Sequence, residues 1–500
     1  MSLASGPPVL RLPSRFEALQ REVAKTGGDL NRIVYRVDSA AQRIETLLRH
    51  VRDAKIGRFE LMLGASGSGK TTFLSTLPFF FRDVVVDDIP PSAPLREIAN
   101  FVRDKGLPTN KARIFVMNGR DNPVVSNEEA RQFFESLRVL FREENGDVAV
   151  IWPITDSETA KVLGDIAWQI GRDSIVDVNG GTYQFEGLSK QNFYNVADTT
   201  TRSLNGGQSL ETFGLTPSNT EEAVKDSQTI GEFYTRLEGI SSFINKRFGD
   251  VLKEKKLPSV WILIAADDNR ELDLTVSKLT QGTGQRVDID RLVQYLDDAE
   301  NPAQYLKEWR KRRSEAAYLM RRFDVRLFPL SPNVALSAVR AYGEPAVLTP
   351  LNNKVGSAKT AIEALSKTLF FGALSAEGPK ATTTLRATTE EAAAEYVRLQ
   401  EFAVVRKADK LLNKALAEAI QASLQSVGIE AIATAEKQSI EGTNLRPDVR
   451  IDLPSGQMIC LEPTWRTTGR LNDQQNTAAV GHIQQYLLNK VIEYINAFLA

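Results

Sequence analysis

Sulfur and imidazole are scarce in this chain. Among 500 residues there are one cysteine, Cys460, and two histidines, His50 and His482. A single cysteine forms no internal disulfide, and so few soft ligands leave a Cys/His zinc site without its donors. Charge of either sign is not in excess: the net charge is −1, which argues against a wholly basic nucleic-acid binder while allowing local basic patches. Long apolar runs are missing as well, and no stretch approaches the length that spans a bilayer. The opening Met-Ser-Leu-Ala-Ser-Gly-Pro-Pro has no charged start followed by an apolar stretch, so no signal peptide is expected. The expectation is a soluble, cytoplasmic protein with no membrane partner. Apolar residues at 42% and charged residues at 25% are enough to fold two to four globular domains.

The most specific pattern present is Gly64-Ala65-Ser66-Gly67-Ser68-Gly69-Lys70-Thr71. It fits the phosphate-binding loop G-x-x-x-x-G-K-[ST]. The apolar run Phe59–Leu63 before it reads as a buried strand, and Thr71–Leu77 after it, beginning Thr71-Thr72, reads as a helix start. Glycines let backbone N–H groups close around phosphate oxygens, and the helix N-terminus favours the anion. Lys70 reaches the β- and γ-phosphates and the Thr71 hydroxyl ligates Mg²⁺. ATP or GTP with Mg²⁺ is the expected ligand set.

Apolar runs then alternate with helical stretches. Val84–Val86, Ala112–Asn118, Asp147–Thr155, Val260–Ala266 and Val325–Pro329 read as strands, with a strong helix over Glu128–Glu144 and another capped by Ser157. That alternation predicts a mostly parallel α/β sheet flanked by helices. Residues 180–230 turn polar and read as an insertion or partly mobile loop, followed by a helix near 231–256. Residues 376–384 read as a linker, and one long helix is expected from about 390 to Val427 with Gly428 after it. Three short strands and a closing helix follow. The expected domains are a helical segment over 1–57, a P-loop domain over 58–345 with an insertion at about 180–258, a helical lid and linker over 346–389, and a smaller α/β domain over 390–500.

An NTPase also needs an acidic group at a neighbouring strand end. Ile114–Asp121 stands first, with Asn118 where an Asp would be expected and Asp121 three residues on. Ile262–Asp268, with Asp267, and Val84–Asp88 are the competing runs. The element order resembles the AAA+ ATPases and the signalling NTPases related to them. The resemblance implies that Thr155, at the end of Val148–Asp156, senses the γ-phosphate. It implies that Arg321 or Arg322, in Leu319–Pro332, acts as an arginine finger supplied by a neighbouring copy, hence a homo-oligomer.

Near the end of the chain, Pro447-Asp448 precedes a strand, a Pro454-Ser-Gly456 turn, a second strand, and Glu462-Pro-Thr464-Trp-Arg466. This resembles the P-D…[D/E]-x-K pattern of restriction-endonuclease-like nucleases. The resemblance implies that Asp448 and Glu462 hold a divalent metal, with Glu401 or Glu418 as the helix glutamate. Thr464 occupies the lysine position, and Arg466 is a poor substitute because it keeps its proton. Lys407, Lys410 and Lys414 at i, i+3, i+7 are expected to form a basic helix stripe that could meet DNA phosphates or merely solvent. Three readings stand at this point. One is an ATP-hydrolysing AAA+-like protein acting on or signalling from nucleic acid, as in bacterial defence or mobile-element biology. The second is a nucleotide-gated switch or oligomeric scaffold with weak hydrolysis and an inactive DNA-binding end domain, with DNA or a protein as partner. The third is a metal-dependent nuclease effector.

Overall fold

The computed structural model describes residues 9–26, 33–106, 111–143, 148–177, 181–282, 284–298, 304–375, 387–436, 439–468 and 477–500. The linker expected at 376–384 and the strand start at Asp147 lie outside these residues. The chain divides into two compact units, each with its own sheet.

The first unit comprises Val9–Leu210 and Thr220–Ser242. Its five strands are β1 (Arg58–Leu63), β2 (Val84–Asp88), β3 (Ala112–Val116), β4 (Val148–Ile154) and β5 (Thr182–Gln184). They lie in the order β2-β3-β4-β1-β5, every pair parallel. Helices cover both faces, as a parallel sheet requires. On one side, α1 (Phe16–Thr26) begins the unit's chain, and α2 (Asp38–Ala54) and α3 (Lys70–Ser75) follow. Ile44, Leu48, Phe73 and Leu74 there pack with Met62, Ile114 and Ile151. On the other side, α4 (Asn127–Glu143) and α5 (Ser157–Gly171) set Phe133, Phe134, Leu137 and Leu163 against Phe59, Leu61, Phe115 and Trp152. The period of two along β1 explains the division, with Phe59 and Leu61 facing one layer and Met62 the other. Phe59 meets Phe133 and Phe134 edge-on at 5.9 and 5.0 Å. Full burial of one such ring contributes about 1.5–3 kcal/mol. Two further helices, α6 (Phe193–Leu204) and α7 (Ile230–Glu254), occupy the region expected to be an insertion. That region is ordered helix and supplies β5 to the P-loop sheet.

The second unit comprises Glu211–Asn219 and Phe243–Ala500. Its strands are β6 (Ser259–Ala265), β7 (Thr280–Gln281), β8 (Arg286–Val287), β9 (Arg326–Leu330), β10 (Ile432–Ala435), β11 (Val449–Asp452) and β12 (Met458–Trp465). They form one mixed sheet, β10-β11-β12-β6-β9-β8-β7. β12 pairs with β6, and β6 with β9, in parallel; β10, β11 and β12 form an antiparallel meander. The helices used below are α8 (Arg313–Arg322), α9 (Pro332–Tyr342), α10 (Glu390–Arg406), α11 (Asp409–Ser426) and α12 (Val480–Leu499).

The fold class is the one expected: a parallel P-loop sheet with flanking helices, plus a second α/β sheet. Its boundaries differ. β6 and β9 belong to the second sheet, so the P-loop sheet does not extend to residue 345, and strands 432–465 continue a sheet that starts near 259. The reason is physical: β6 is an unbroken apolar run buried along its whole length, and such a run marks a central parallel strand without naming its sheet. The single helix expected over 390–427 is two, broken at Lys407, which adopts a left-handed φ of 51°. The cap of α5 is Asp156, whose carboxylate accepts the Thr159 N–H at 2.7 Å, one residue before the expected Ser157.

Among the described residues no helix is long and apolar enough to cross a membrane.

Candidate functional site

The loop Gly64–Thr71 leaves the C-terminal end of β1 and enters α3. Its path is held from both neighbouring strands. The Gly64 N–H donates to the Ile154 carbonyl at 3.0 Å, and the Phe185 N–H to the Leu63 carbonyl at 2.7 Å. Gly67 and Gly69 take positive φ values of 78° and 96°, where a side chain would strain the backbone. At Gly64 the constraint is space, since a Cβ would sit 2.6 Å from the Phe185 carbonyl oxygen.

Lys70 is only 5% exposed. Its ammonium donates to the carbonyls of Gly64 and Ala65 at 2.6 and 3.1 Å and to the Thr155 hydroxyl at 3.5 Å. Burial lowers the Lys70 pKa, while the charge of Asp121 acts the other way. Thr155 and Asp121 are tied to each other, the Thr155 N–H donating to the Asp121 carbonyl at 2.9 Å. The sheet order explains why they meet. β4, ending at Thr155, lies beside β1, and β3, ending before Asn118, lies beside β4.

Of the acids considered, Asp121 is therefore the one brought to Lys70. Asn118 turns aside and donates to Asp88 at 2.5 Å, and Asp87 pairs with Arg113 at 2.8 Å. Asp267 is a correction. It ends β6 in the second unit, where its oxygens accept the Thr468 N–H and hydroxyl at 2.6 and 2.9 Å. There it pins the chain after β12 and has no place in the P-loop sheet. Arg321 and Arg322 end α8 in the same second unit, so the late P-loop segment expected around them does not exist. Arg322 lies beside Tyr318, and Arg321 beside Glu211.

A cavity of about 810 Å³ opens on the loop within the first unit. Ser66–Phe73 and Asp121 line one side; Phe16, Tyr35, Tyr234 and the start of α7 line the rest. Buried Tyr234 and Thr200 join their hydroxyls at 3.1 Å. Two arginines face the cavity, Arg15 and Arg236. The first turn of α7 touches the loop itself, with the Gly231 N–H donating to the Gly67 carbonyl at 3.2 Å. These residues were missed in the sequence. A signal existed: Thr229-Ile-Gly-Glu232 has capping-box spacing. The Glu232 N–H donates to Thr229 Oγ1 at 3.2 Å, and the Glu232 carboxylate accepts the Gln228 N–H at 2.8 Å.

Asp448 and Glu462 do lie together in the second unit, and they interact directly. Asp448 immediately precedes β11 and Glu462 lies within β12; the two strands pair antiparallel with Val449 opposite Leu461. Burial, then the neighbouring charge of Glu462, pushes the Asp448 carboxyl up to about 7. Glu462 is 1% exposed. Two residues of α12 answer it: the Tyr494 hydroxyl donates to Oε1 at 2.5 Å, and the Lys490 ammonium lies 3.0 Å from Oε2. Burial disfavours the Lys490 charge, yet Glu462 keeps its pKa above the ordinary lysine range. The acid that reaches Asp448 from a third element is Glu436, after β10. Glu401 and Glu418 are exposed on α10 and α11. The expected lysine stripe is not a free surface: Lys407 lies between helices, Lys410 pairs with Glu436 at 2.5 Å, and Lys414 with Glu344 at 2.6 Å. Among the described residues no group of three or more His, Cys, Asp or Glu side chains is placed to hold a metal.

No protein-family model matches the chain, and no curated protein matches it. Among solved structures it is similar to the crystal structure of Cdc6p from Pyrobaculum aerophilum, at 10% identity over 92% of this chain and 96% of that one. The TM-score is 0.26, so the fold of this chain rests on its own strand order and loop geometry.

Proposed function

We propose that the first unit binds and hydrolyses a nucleoside triphosphate, ATP or GTP, in the manner of an AAA+-like P-loop NTPase. The observation that carries this reading is the meeting of Lys70, Thr155 and Asp121 at one side of the 810 Å³ cavity. The residues fit a Mg²⁺–triphosphate. Ser68 Oγ and Asp121 Oδ1 are buried without hydrogen-bond partners, and the glycine cradle excludes Cβ atoms from the path of the loop. Thr71 and Asp121 would hold Mg²⁺ with its waters. When bound, Mg²⁺ draws charge from the β- and γ-phosphate oxygens. Lys70 exchanges its carbonyl partners for phosphate oxygens, gaining charge-assisted bonds. Thr155 orients beside the γ-phosphate, and Asp121 accepts a hydrogen bond from the attacking water. Arg15 and Arg236 stand where a positive charge would balance the transferring phosphoryl group. Calorimetric titration of Mg²⁺-ATP and Mg²⁺-GTP into the full chain tests this. One nucleotide bound per chain is expected; no heat at millimolar nucleotide would contradict it.

A second reading concerns the second unit and rests on the contact between Asp448 and Glu462. Two carboxylates this close need a cation or a proton between them. We read them as the pair that would hold Mg²⁺ or Mn²⁺ in a restriction-endonuclease-like phosphodiester site. Such a metal supplies Lewis-acid polarisation of the phosphate. The inactive DNA-binding alternative loses its support at Lys410 and Lys414, which are occupied by Glu436 and Glu344. A chain carrying both sites would couple nucleotide turnover to nucleic-acid processing, with DNA as partner.

A further inference from the structure

We infer that Lys490 is the catalytic lysine of the Asp448–Glu462 site, supplied by α12 in place of the β12 position that Thr464 occupies. The inference rests on the phosphodiester reading of that pair. Along β12, Glu462 and Thr464 are two residues apart and share a face. A lysine at 464 would bring its ammonium to the carboxylate pair along the strand. Thr464 cannot, and its hydroxyl instead accepts a hydrogen bond from Arg466 Nε at 2.7 Å. Arg466 is further engaged by the Tyr486 ring, 5.1 Å away. It is thus committed to a stack and a hydroxyl.

The ammonium arrives from another direction. Tyr486, Lys490 and Tyr494 are spaced four apart on α12 and share one helix face. Their groups meet at Glu462: Tyr494 on Oε1, Lys490 on Oε2, and Tyr486 close enough for its hydroxyl to feel both Glu462 and Asp448. Lys490 differs from a wholly interior ion-pair partner. Its side chain is 27% exposed while Glu462 is 1% exposed, so the ammonium sits where the buried carboxylate meets solvent and where a phosphate could approach. Its second ion pair, to Glu493 at 3.5 Å, is on the solvent side.

The chemistry needs only water as co-reactant. An oxygen–phosphorus bond forms from water, the ester P–O bond breaks, and one water proton ends on the leaving alcohol. Lys490 stays an ammonium throughout. It touches a non-bridging phosphate oxygen and balances the charge that grows there, as preorganised donors do in water-poor sites.

The test uses the full chain and end-labelled DNA and RNA oligonucleotides with Mn²⁺. Wild type, Lys490→Ala, Lys490→Arg and the pair Lys490→Ala/Thr464→Lys are assayed for cutting and, by calorimetry, for Mn²⁺ binding. Lys490→Ala should lower cutting by at least about 100-fold while Mn²⁺ binding persists. Restoring a lysine at 464 should recover part of the rate, which a purely structural role for Lys490 would not give. Lys490→Arg keeps the charge beside Glu462, so a stably folded Lys490→Arg chain that binds Mn²⁺ but cuts slowly also supports the assignment. Cutting by Lys490→Ala at the wild-type rate would overturn the lysine and leave the carboxylate pair standing. A wild type that binds no Mn²⁺ would overturn the pair itself. A wild type that binds Mn²⁺ and cuts neither nucleic acid would overturn the catalytic role of Lys490.

Discussion

The two units carry phosphate chemistry in opposite ways. In the first, eight consecutive residues build most of the site, because backbone N–H groups and glycines form the cradle. In the second, the groups that meet are at 448, 462 and 490, from a strand entrance, a strand interior and a helix. A site made of backbone depends on local conformation and so survives only with its motif intact. A site made of side chains depends on where the tips arrive, and one tip can be delivered from a different element. The broken motif at Thr464 therefore has a different meaning from a broken glycine at Gly67.

The largest effect is expected where the local site is cut at its charge. Lys70→Ala should weaken Mg²⁺-ATP binding by roughly 100-fold, from the loss of charge-assisted bonds worth about 1.5–3 kcal/mol each. Fluorescent-nucleotide displacement would measure it, and unchanged affinity would remove the P-loop from the account. The same substitution should leave Mn²⁺ binding in the second unit unaltered.

Next come the arginines. Arg236→Ala should reduce turnover by about 10- to 100-fold, on the scale of losing one charge-stabilising donor, with Arg15→Ala smaller or equal. Arg322→Ala should change turnover less than either in dilute protein. If the specific activity instead rises steeply with protein concentration and collapses in Arg322→Ala, the finger comes from a neighbouring copy and the comparison of units must be redrawn around an oligomer.

A smaller effect is expected from Glu60, on β1 beneath the loop. Burial raises its carboxyl to about 7, with Arg43, which donates from Nε at 2.6 Å, opposing the shift. A raised carboxyl binds its proton more tightly in the folded state. Stability should thus be greatest below the ordinary glutamate pKa and fall as pH rises through about 7. Glu60→Gln should flatten that slope, by on the order of 1–3 kcal/mol between pH 4.5 and 8, in denaturant melts at a series of pH values. A wild-type curve that rises over this window would reverse the assignment. The least effect is expected at Lys414, whose exposed pair with Glu344 contributes about 0–1 kcal/mol, so Lys414→Ala should leave stability and DNA binding nearly unchanged.

Most of this molecule's elements were legible in the sequence; their grouping was not. The P-loop, β3, β4, Thr155 and Asp121 were readable because each depends on neighbours within a few residues. Asp267 misled because a buried parallel strand ending in an acid looks alike in any sheet. Strand periodicity is local, whereas the pairing of β12 with β6 joins residues about two hundred positions apart. Lys407 misled for a smaller reason: a helical spacing of lysines gives no sign of a left-handed break. Lys490 was hidden because its helix offered no charge pattern beyond one cation among apolar residues, and its value comes only from what it meets. Glu60 was hidden inside an apolar run that reads correctly as a strand.

The central claim is that the acid completing the nucleotide site lies in the P-loop unit and not at the end of β6. Steady-state ATP turnover of Asp121→Asn and Asp267→Asn, measured side by side at saturating Mg²⁺-ATP, tests it most directly. The account predicts a loss of about 100-fold or more for Asp121→Asn, on the scale of a lost catalytic base, and turnover near wild type for Asp267→Asn. Turnover retained in Asp121→Asn and lost in a folded, ATP-binding Asp267→Asn would contradict it.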